Sequence, residues 1–345
     1  MKPGRGRQAL HRCARSPSSP SRRAAKPTSS PGRSRRNASH IHLQPGHGFG
    51  HWPAGRRPGT NALAAAGTPM LERTETPLAY DWFADEADEA ESKLVGFRHE
   101  PGGVHLSKTI MLDDLSTVVQ ASEAGNSGSV VRAILDDNVL AKPTGSARKL
   151  ALSRLNTLFG VVTPLPVQSV MLQLWRRSTT GRPVLALLCA LAREPLLRDS
   201  ATVVLAAPEG AALRWPDIAA TLAQRHPGRY SAKMLKSLAQ NCASSWTQSG
   251  HLRGRVAKRR SRAEPSAEAA AYAALLGSLA GFGGPALLAS PWMRVLDRAE
   301  PDLIALLRRA EAQGLLQVRA GGGVVQIEVV RPMAQLTGVT ALANG

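Results

Sequence analysis

Cysteine is scarce in this chain, and that scarcity excludes two classes of small-protein architecture. Only 3 cysteines occur among 345 residues, and they lie far apart at positions 13, 189 and 242. So few scattered thiols cannot form a disulfide framework or a thiolate zinc site. Cys189 and Cys242 stand among apolar residues, which predicts buried free thiols. A reducing cytoplasm is therefore the expected location.

Recognisable catalytic motifs are also missing. The chain has no phosphate-binding G-x-x-x-x-G-K-[ST], no H-E-x-x-H and no G-x-S-x-G. Two acidic pairs, at positions 113–114 and 136–137, are adjacent in sequence. On a helix such neighbours point apart, whereas a metal-dependent nuclease needs converging carboxylates. We therefore predict a protein that is not an enzyme and that uses no cofactor and no metal.

The chain has one long uncharged run, over residues 269–293. Its length would suffice for a membrane span, but the glycines and the proline at positions 281–285 interrupt it. We expect a core helix, a loop and a second short helix, and no membrane association. The basic segment before the run would satisfy the positive-inside rule, so a membrane protein is kept as an alternative.

Charge and large apolar residues are unevenly spread along the first 106 residues. Residues 1–70 contain 13 Lys or Arg and no acid, with few large apolar residues. Residues 1–69 are therefore expected to be a disordered basic extension, or to remain untranslated if synthesis starts at Met70. Residues 70–106 are rich in Asp and Glu, which predicts an acidic linker.

Helical periodicity dominates from residue 107 onward, and helices are expected over Pro166–Arg177 and Arg182–Arg193. Apolar residues at 130–135 and 151–159 flank a Lys-Pro-Thr-Gly turn, which is the pattern of a helix–turn–helix. An ordinary corner between two helices is the alternative. If the pattern binds nucleic acid, the basic side chains on its outer face are the candidates: Lys142, Arg148, Lys149 and Arg154.

A second helix–turn–helix candidate lies in residues 218–263, which hold ten Lys or Arg and no acid. One helix is expected over residues 216–224 and another over 231–245, separated by His-Pro-Gly. On the second helix Leu235, Leu238, Cys242 and Trp246 recur with helical spacing and are predicted to face inward. Trp246 is interpreted as a core anchor, with base stacking as the alternative.

The polar side of this second helix and the segment after it suit a polyanion. Lys can reach phosphate or guanine, and Gln and Asn can pair with adenine. The segment that follows is expected to form a wing or an arm along the nucleic-acid backbone. The side chains predicted to bind nucleic acid here are Lys233, Lys236, Gln240, Asn241, Ser245, Gln248, His251, Arg253, Arg255, Lys258, Arg259 and Arg260.

The C-terminal part predicts a helix over residues 302–313 and strands over 315–319 and 324–330 with a glycine-rich turn between them. The expected fold class is mainly α: a helical bundle with helix–turn–helix or winged-helix elements and a C-terminal β-hairpin wing. We expect an N-terminal helical domain over residues 107–200, a C-terminal helical or winged-helix domain over 201–332, and a tail over 333–345.

Four segments together are similar to the BrxA family of BREX phage-defence systems. They are SKTIML (107–112), DDNVLAKPTGSARK (136–149), RPVLALLCALAREPLLR (182–198) and SSWTQSGHLRGR (244–255). The resemblance implies a largely helical, non-enzymatic, bacterial protein that binds double-stranded DNA. It also implies, as partners, a DNA methyltransferase, an ATPase and a phosphatase-like protein.

Composition and resemblance together predict a cytoplasmic DNA-binding component of phage defence. Two other functions stay open at the level of sequence. One is an RNA-binding factor, because the family has been compared with NusB-type antitermination proteins. The other is a scaffold whose basic face docks acidic defence partners.

Overall fold

The computed structural model describes residues 80–321 and 324–342, all of which belong to one compact unit, Pro69–Gly345. Fourteen α-helices are present in these residues. Their bounds are α1 Glu89–Val95, α2 Leu112–Ala121, α3 Ser127–Leu135, α4 Gly145–Phe159, α5 Pro166–Arg177, α6 Arg182–Arg193, α7 Pro195–Ala206, α8 Trp215–Arg225, α9 Ala232–Gln248, α10 Ala267–Leu279, α11 Gly284–Ala289, α12 Pro291–Arg294, α13 Glu300–Ala312 and α14 Val330–Thr337.

Two small antiparallel sheets complete the fold. The first has three strands, β1 Ala212–Leu213, β2 Leu252–Arg253 and β3 Lys258–Arg260, with β3 in the middle. The second is a hairpin of β4 Gln317–Gly321 and β5 Val324–Glu328, paired from Gln317 opposite Glu328 to Gly321 opposite Val324. The prediction of a mainly helical protein with a C-terminal β-hairpin is confirmed.

The core is built around α6, whose residues Val184–Ala192 are all buried. Helices α4, α5 and α10 pack against it. Helix α10 is buried on all sides. Its many alanines have small side chains, so neighbouring helices can approach it closely. The long uncharged run thus becomes the predicted core helix, α10, and the predicted loop, but two short helices, α11 and α12, follow in place of one. Within the described residues, no helix has the length and hydropathy needed to cross a membrane.

The segment predicted to be an acidic linker is part of the core from residue 80 onward. Trp82 and Phe97 are buried, and both rings pack against Trp292 in α12. Trp292 also donates a hydrogen bond from Nε1 to the Trp82 carbonyl, at 2.8 Å. The acidic side chains of this stretch stay exposed, so its aromatic rings can pack into the core without burying a charge.

Two predicted boundaries also need correction. The tail expected after residue 332 continues α14, in which Met333 is fully buried. The domain boundary expected between residues 200 and 201 falls inside α7. Elements on both sides of that point belong to one hydrophobic core, so no linker separates them.

A buried carboxylate, Glu194, joins distant parts of the chain at the junction of α6 and α7. It accepts hydrogen bonds from the backbone N–H of Val104 at 3.0 Å and of His105 at 3.1 Å, and it lies 3.1 Å from His105 Nδ1. Burial opposes ionisation of Glu194, but these hydrogen bonds outweigh it, so the pKa of the carboxyl lies below its ordinary value. The fold therefore contains a buried ionised carboxylate, which is stabilised by these donors and by the Arg98 guanidinium at 3.9 Å.

Replacing Glu194 by Gln should lower the free energy of unfolding by about 3 kcal/mol at pH 7, because buried donors lose their charged acceptor. Because the pKa of Glu194 is lower in the folded protein, its full contribution to the free energy of unfolding is present above the pKa of the unfolded chain, near 4.5. The difference from wild type should therefore shrink as the pH falls below that value. Urea unfolding at several pH values measures both effects.

Glu209→Gln is the matched control, because that carboxylate is 59% exposed and pairs with Arg262 at the surface. It should change the free energy of unfolding by less than about 1 kcal/mol. Equal losses in the two variants would contradict a structural role for Glu194.

Candidate nucleic-acid interface

Helices α8 and α9 form the scaffold of the predicted interface. The side chain of Ser231 caps α9 by accepting a hydrogen bond from the backbone N–H of Met234. Leu238, Cys242 and Trp246 are buried as predicted, and Leu235 is half-buried against the core. Trp246 is fully buried and donates from Nε1 to Ser200 Oγ at 2.8 Å. Trp246 is therefore a core anchor, and its burial rules out base stacking.

The outer face of α9 presents polar and basic groups to solvent. Lys233, Lys236 and Gln240 are exposed and lie on the side opposite the buried residues. Ser244 continues this face one turn further on and is half-buried. The structure agrees with the predicted exposure of this face, and a polyanion could approach the helix here without rearrangement.

The segment after α9 folds into a short hairpin, which we call the basic hairpin (Leu252–Arg260). Its turn is exposed, with Val256 at 94% exposure beside Arg255. Lys258 points toward α9, and its Nζ donates to Thr247 Oγ1 at 2.9 Å. Partial burial there lowers the pKa of Lys258 from its ordinary value. Lys258 therefore holds the basic hairpin against α9, and its charge is less accessible than those of the exposed arginines in the hairpin.

Two arginines of the basic hairpin lie directly opposite each other across the strands. Arg253 and Arg259 are register partners, and both are exposed. Successive side chains of a strand point to opposite faces of the sheet, and Lys258 points toward α9. Arg259 therefore points away from α9. Like charges directly opposite in a sheet repel each other. The outer face of this sheet is therefore a place where an anion would relieve repulsion.

Three predicted contact residues are buried and must be removed from the interface: Ser245, His251 and Arg260. Arg260 pairs with Asp297 through two hydrogen bonds of 2.9 and 2.7 Å. His251 lies 2.7 Å from the Val295 carbonyl, and burial lowers its pKa to about 4, so the ring is neutral at pH 7. These two side chains fix the root of the basic hairpin to the loop after α12.

Asn241 and Gln248 are half-buried, and internal hydrogen bonds occupy them. Asn241 donates from Nδ2 to the His105 carbonyl at 2.9 Å. Gln248 accepts from the Leu112 backbone N–H at 3.0 Å and donates to Thr109 Oγ1 at 2.9 Å. Their amides hold residues 105–112 against α9. The prediction that Asn241 and Gln248 contact bases is therefore wrong, because both amides are already engaged within the protein.

The first helix–turn–helix candidate is not arranged for binding in the same way. Helices α3 and α4 pack together, but residues 136–144 separate them, which is longer than the usual turn of that motif. Lys142 pairs with Asp114 at 3.0 Å, and Arg148 donates to the Leu135 carbonyl. Arg154 donates to Ser107 Oγ at 2.9 Å, whereas Lys149 is exposed. Of the four predicted side chains, Lys149 is the most accessible.

A groove between α9, the start of α8 and the basic hairpin was not predicted. It has a volume of about 700 Å³, and residues from all three elements line it, including Trp215, Gln240 and Val256. Trp215 is 39% exposed, and the Lys236 ammonium lies 5.3 Å from its ring centroid. Arg214 beside it is 77% exposed. The sequence carries no signal for this groove, because it does not show that the Trp at the start of α8 stays exposed.

Ser245, His105 and Glu194 form a chain of hydrogen bonds that resembles a catalytic triad. Ser245 Oγ is 2.8 Å from His105 Nε2, and His105 Nδ1 is 3.1 Å from Glu194. All three side chains are fully buried. Ser245 Oγ also accepts from the Ile110 N–H and donates to the Asn241 carbonyl. The hydroxyl is therefore structural, because a nucleophile must be able to reach its substrate.

Metal ligands do not cluster in the described ranges: among residues 80–321 and 324–342, no group of three or more His, Cys, Asp or Glu could hold an ion.

Comparison with known proteins adds little. No protein-family model and no curated protein matches this chain. A solved structure, the SspB crystal structure, aligns with a TM-score of 0.47 and 13% sequence identity. The alignment covers 72% of this chain and 88% of that chain. A likeness at this level supports no inference about function.

Arg259 and Arg260 are adjacent in sequence but should respond differently to substitution. Arg260→Ala should lower the free energy of unfolding by about 3 kcal/mol, because it leaves the Asp297 carboxylate without its partner. Arg259→Ala should change it by less than about 1 kcal/mol, since that side chain is exposed. Urea unfolding of both variants tests this assignment, and equal destabilisation would contradict it.

Proposed function

We propose that this chain is a non-catalytic protein that binds double-stranded DNA through the outer face of α9 and the basic hairpin. The element order α7, β1, α8, α9, β2, β3, with β3 at the centre of its sheet, is the order of a winged helix. In that comparison α9 takes the position of the recognition helix and the basic hairpin takes the position of the wing. We propose the basic hairpin as the wing in place of the C-terminal hairpin, and the sequence also predicts a wing or an arm in this segment.

The observation that carries this proposal is the set of exposed cations around α9. Six side chains contribute to it: Arg214, Lys233, Lys236, Arg253, Arg255 and Arg259. Within residues 212–260 the sole acid is Asp217, which lies 3.8 Å from Arg214. A surface of this composition attracts a polyanion and releases its counterions on binding.

Binding is proposed to have low sequence specificity. Gln240 is the exposed amide on the α9 face, because Asn241 and Gln248 are engaged inside the fold. Most of the remaining exposed groups are cations, which contact phosphates and carry no sequence information directly. Affinity should therefore vary little among duplexes of equal length.

The biological setting follows from the sequence resemblance alone. We propose a role in a BREX-type phage-defence system, in which DNA binding would bring the protein together with a methyltransferase, an ATPase and a phosphatase-like partner. The exposed basic surface supports this role only through its affinity for DNA.

Salt-dependent binding to a 20-bp duplex tests the proposal. If the six cations contact phosphates, log affinity should fall against log salt with a slope of roughly −5. The double variant Lys233→Ala/Lys236→Ala should reduce the magnitude of that slope by about 2. Arg253→Ala/Arg259→Ala should do the same if the outer face of the sheet also contacts the backbone.

The matched control is Arg176→Ala/Arg177→Ala, which removes two exposed charges from α5. Its slope should equal that of wild type. A wild-type slope near zero would refute DNA binding by this surface. Preference for RNA of equal length in direct competition would favour the RNA-binding alternative. Loss of DNA binding together with retention of an acidic protein partner would favour the scaffold.

A further inference from the structure

The groove beside α9 differs chemically from the cationic surface around it. Its walls include the apolar side chains Leu213, Trp215, Pro216, Ala243, Val256 and Ala257. Its volume of about 700 Å³ is within the range of small-molecule clefts. A duplex backbone presents charged oxygens and sugars and has no flat apolar group to fill such a recess. The groove therefore suits a different part of a nucleic acid.

Cations surround this apolar recess. Arg214, Arg255 and Lys258 line it together with the apolar residues. The Lys236 ammonium lies over the Trp215 ring, at 5.3 Å from its centroid. An occupant that satisfies both features has a flat apolar part and an anionic part attached to it. A nucleobase with its phosphates has this chemistry.

Two apolar side chains at the groove stay exposed in the folded protein. Trp215 retains 39% of its surface, and Val256 at the tip of the basic hairpin retains 94%. Both belong to separate elements, the first turn of α8 and the hairpin turn, and both line the same groove. A base stacked on Trp215 and covered by Val256 would bury both.

We propose that the groove takes up one unpaired nucleobase, stacked on Trp215, when α9 contacts a duplex that contains such a base. This proposal rests on the proposed DNA binding and adds a preference for one kind of DNA ligand. Bulged or otherwise locally unpaired duplexes are the favoured ligands, and Arg214, Arg255 and Lys236 contact the flanking phosphates.

The test compares two 20-bp duplexes, one fully paired and one with a single bulged 2-aminopurine. Wild type should bind the bulged duplex about tenfold more tightly, as expected for one base stacked on an aromatic ring. The 2-aminopurine fluorescence should fall on binding, because the base stacks on Trp215. Trp215→Ala should abolish both effects and change affinity for the paired duplex by less than about twofold.

Two further variants keep the result interpretable if Trp215→Ala folds poorly. Trp215→Phe retains an aromatic ring and should keep part of the preference. Val256→Ser changes a fully solvated tip and should weaken bulge binding by about threefold. Leu150→Ala is the matched control, since Leu150 is 48% exposed on α4 and does not line the groove. It should behave as wild type.

The possible failures are distinguishable. Equal affinity of wild type for both duplexes, without a fluorescence change, would overturn this inference and leave DNA binding intact. A fluorescence decrease that persists in Trp215→Ala would place the base elsewhere and would also overturn it. Absence of binding to either duplex at low salt would refute the proposed function itself.

Discussion

The arrangement of α9 depends on the buried Glu194 carboxylate. Glu194 holds the backbone and the ring of His105, and His105 in turn contacts Ser245 on the inner side of α9. This chain of hydrogen bonds links the α6–α7 junction to the helix that carries the exposed lysines. Because buried ionised groups are tolerated only when they are paired, satisfying this carboxylate orders His105. His105 then adds a hydrogen bond to the apolar packing of Leu238, Cys242 and Trp246 that holds α9 in place.

Helical periodicity was enough to predict the inward face of α9 from Leu238, Cys242 and Trp246, and the outward face from Lys233, Lys236 and Gln240. It could not separate solvent-facing polar residues from polar residues with internal partners. Asn241 bonds to a carbonyl 136 residues away in sequence, and Gln248 to a backbone N–H at the same separation. Similarly, charge alone could not distinguish Arg259, which is exposed, from Arg260, which pairs with Asp297.

Long-range packing explains the other differences. The stretch around Trp82 resembles a linker by composition, yet its aromatic partner Trp292 lies 210 residues away. Strands of two or three residues, such as β1–β3, are too short to leave an alternating pattern. The C-terminal hairpin was predictable because its strands are longer and the sequence between them is rich in glycine. The groove at Trp215 was not, because it forms only when three separate elements meet.

The opposed Arg253 and Arg259 place stability and the proposed DNA binding in conflict at one site. Like charges in register across two strands disfavour each other, and Arg259 is held there by a hydrogen bond of 3.1 Å to the Gly210 carbonyl. An acidic substitution at either position would favour the folded hairpin, but it would also remove the charge complementarity on which binding is proposed to depend. Like charges placed opposite each other in this way fit a surface on which the proposed binding is gained at some cost in stability.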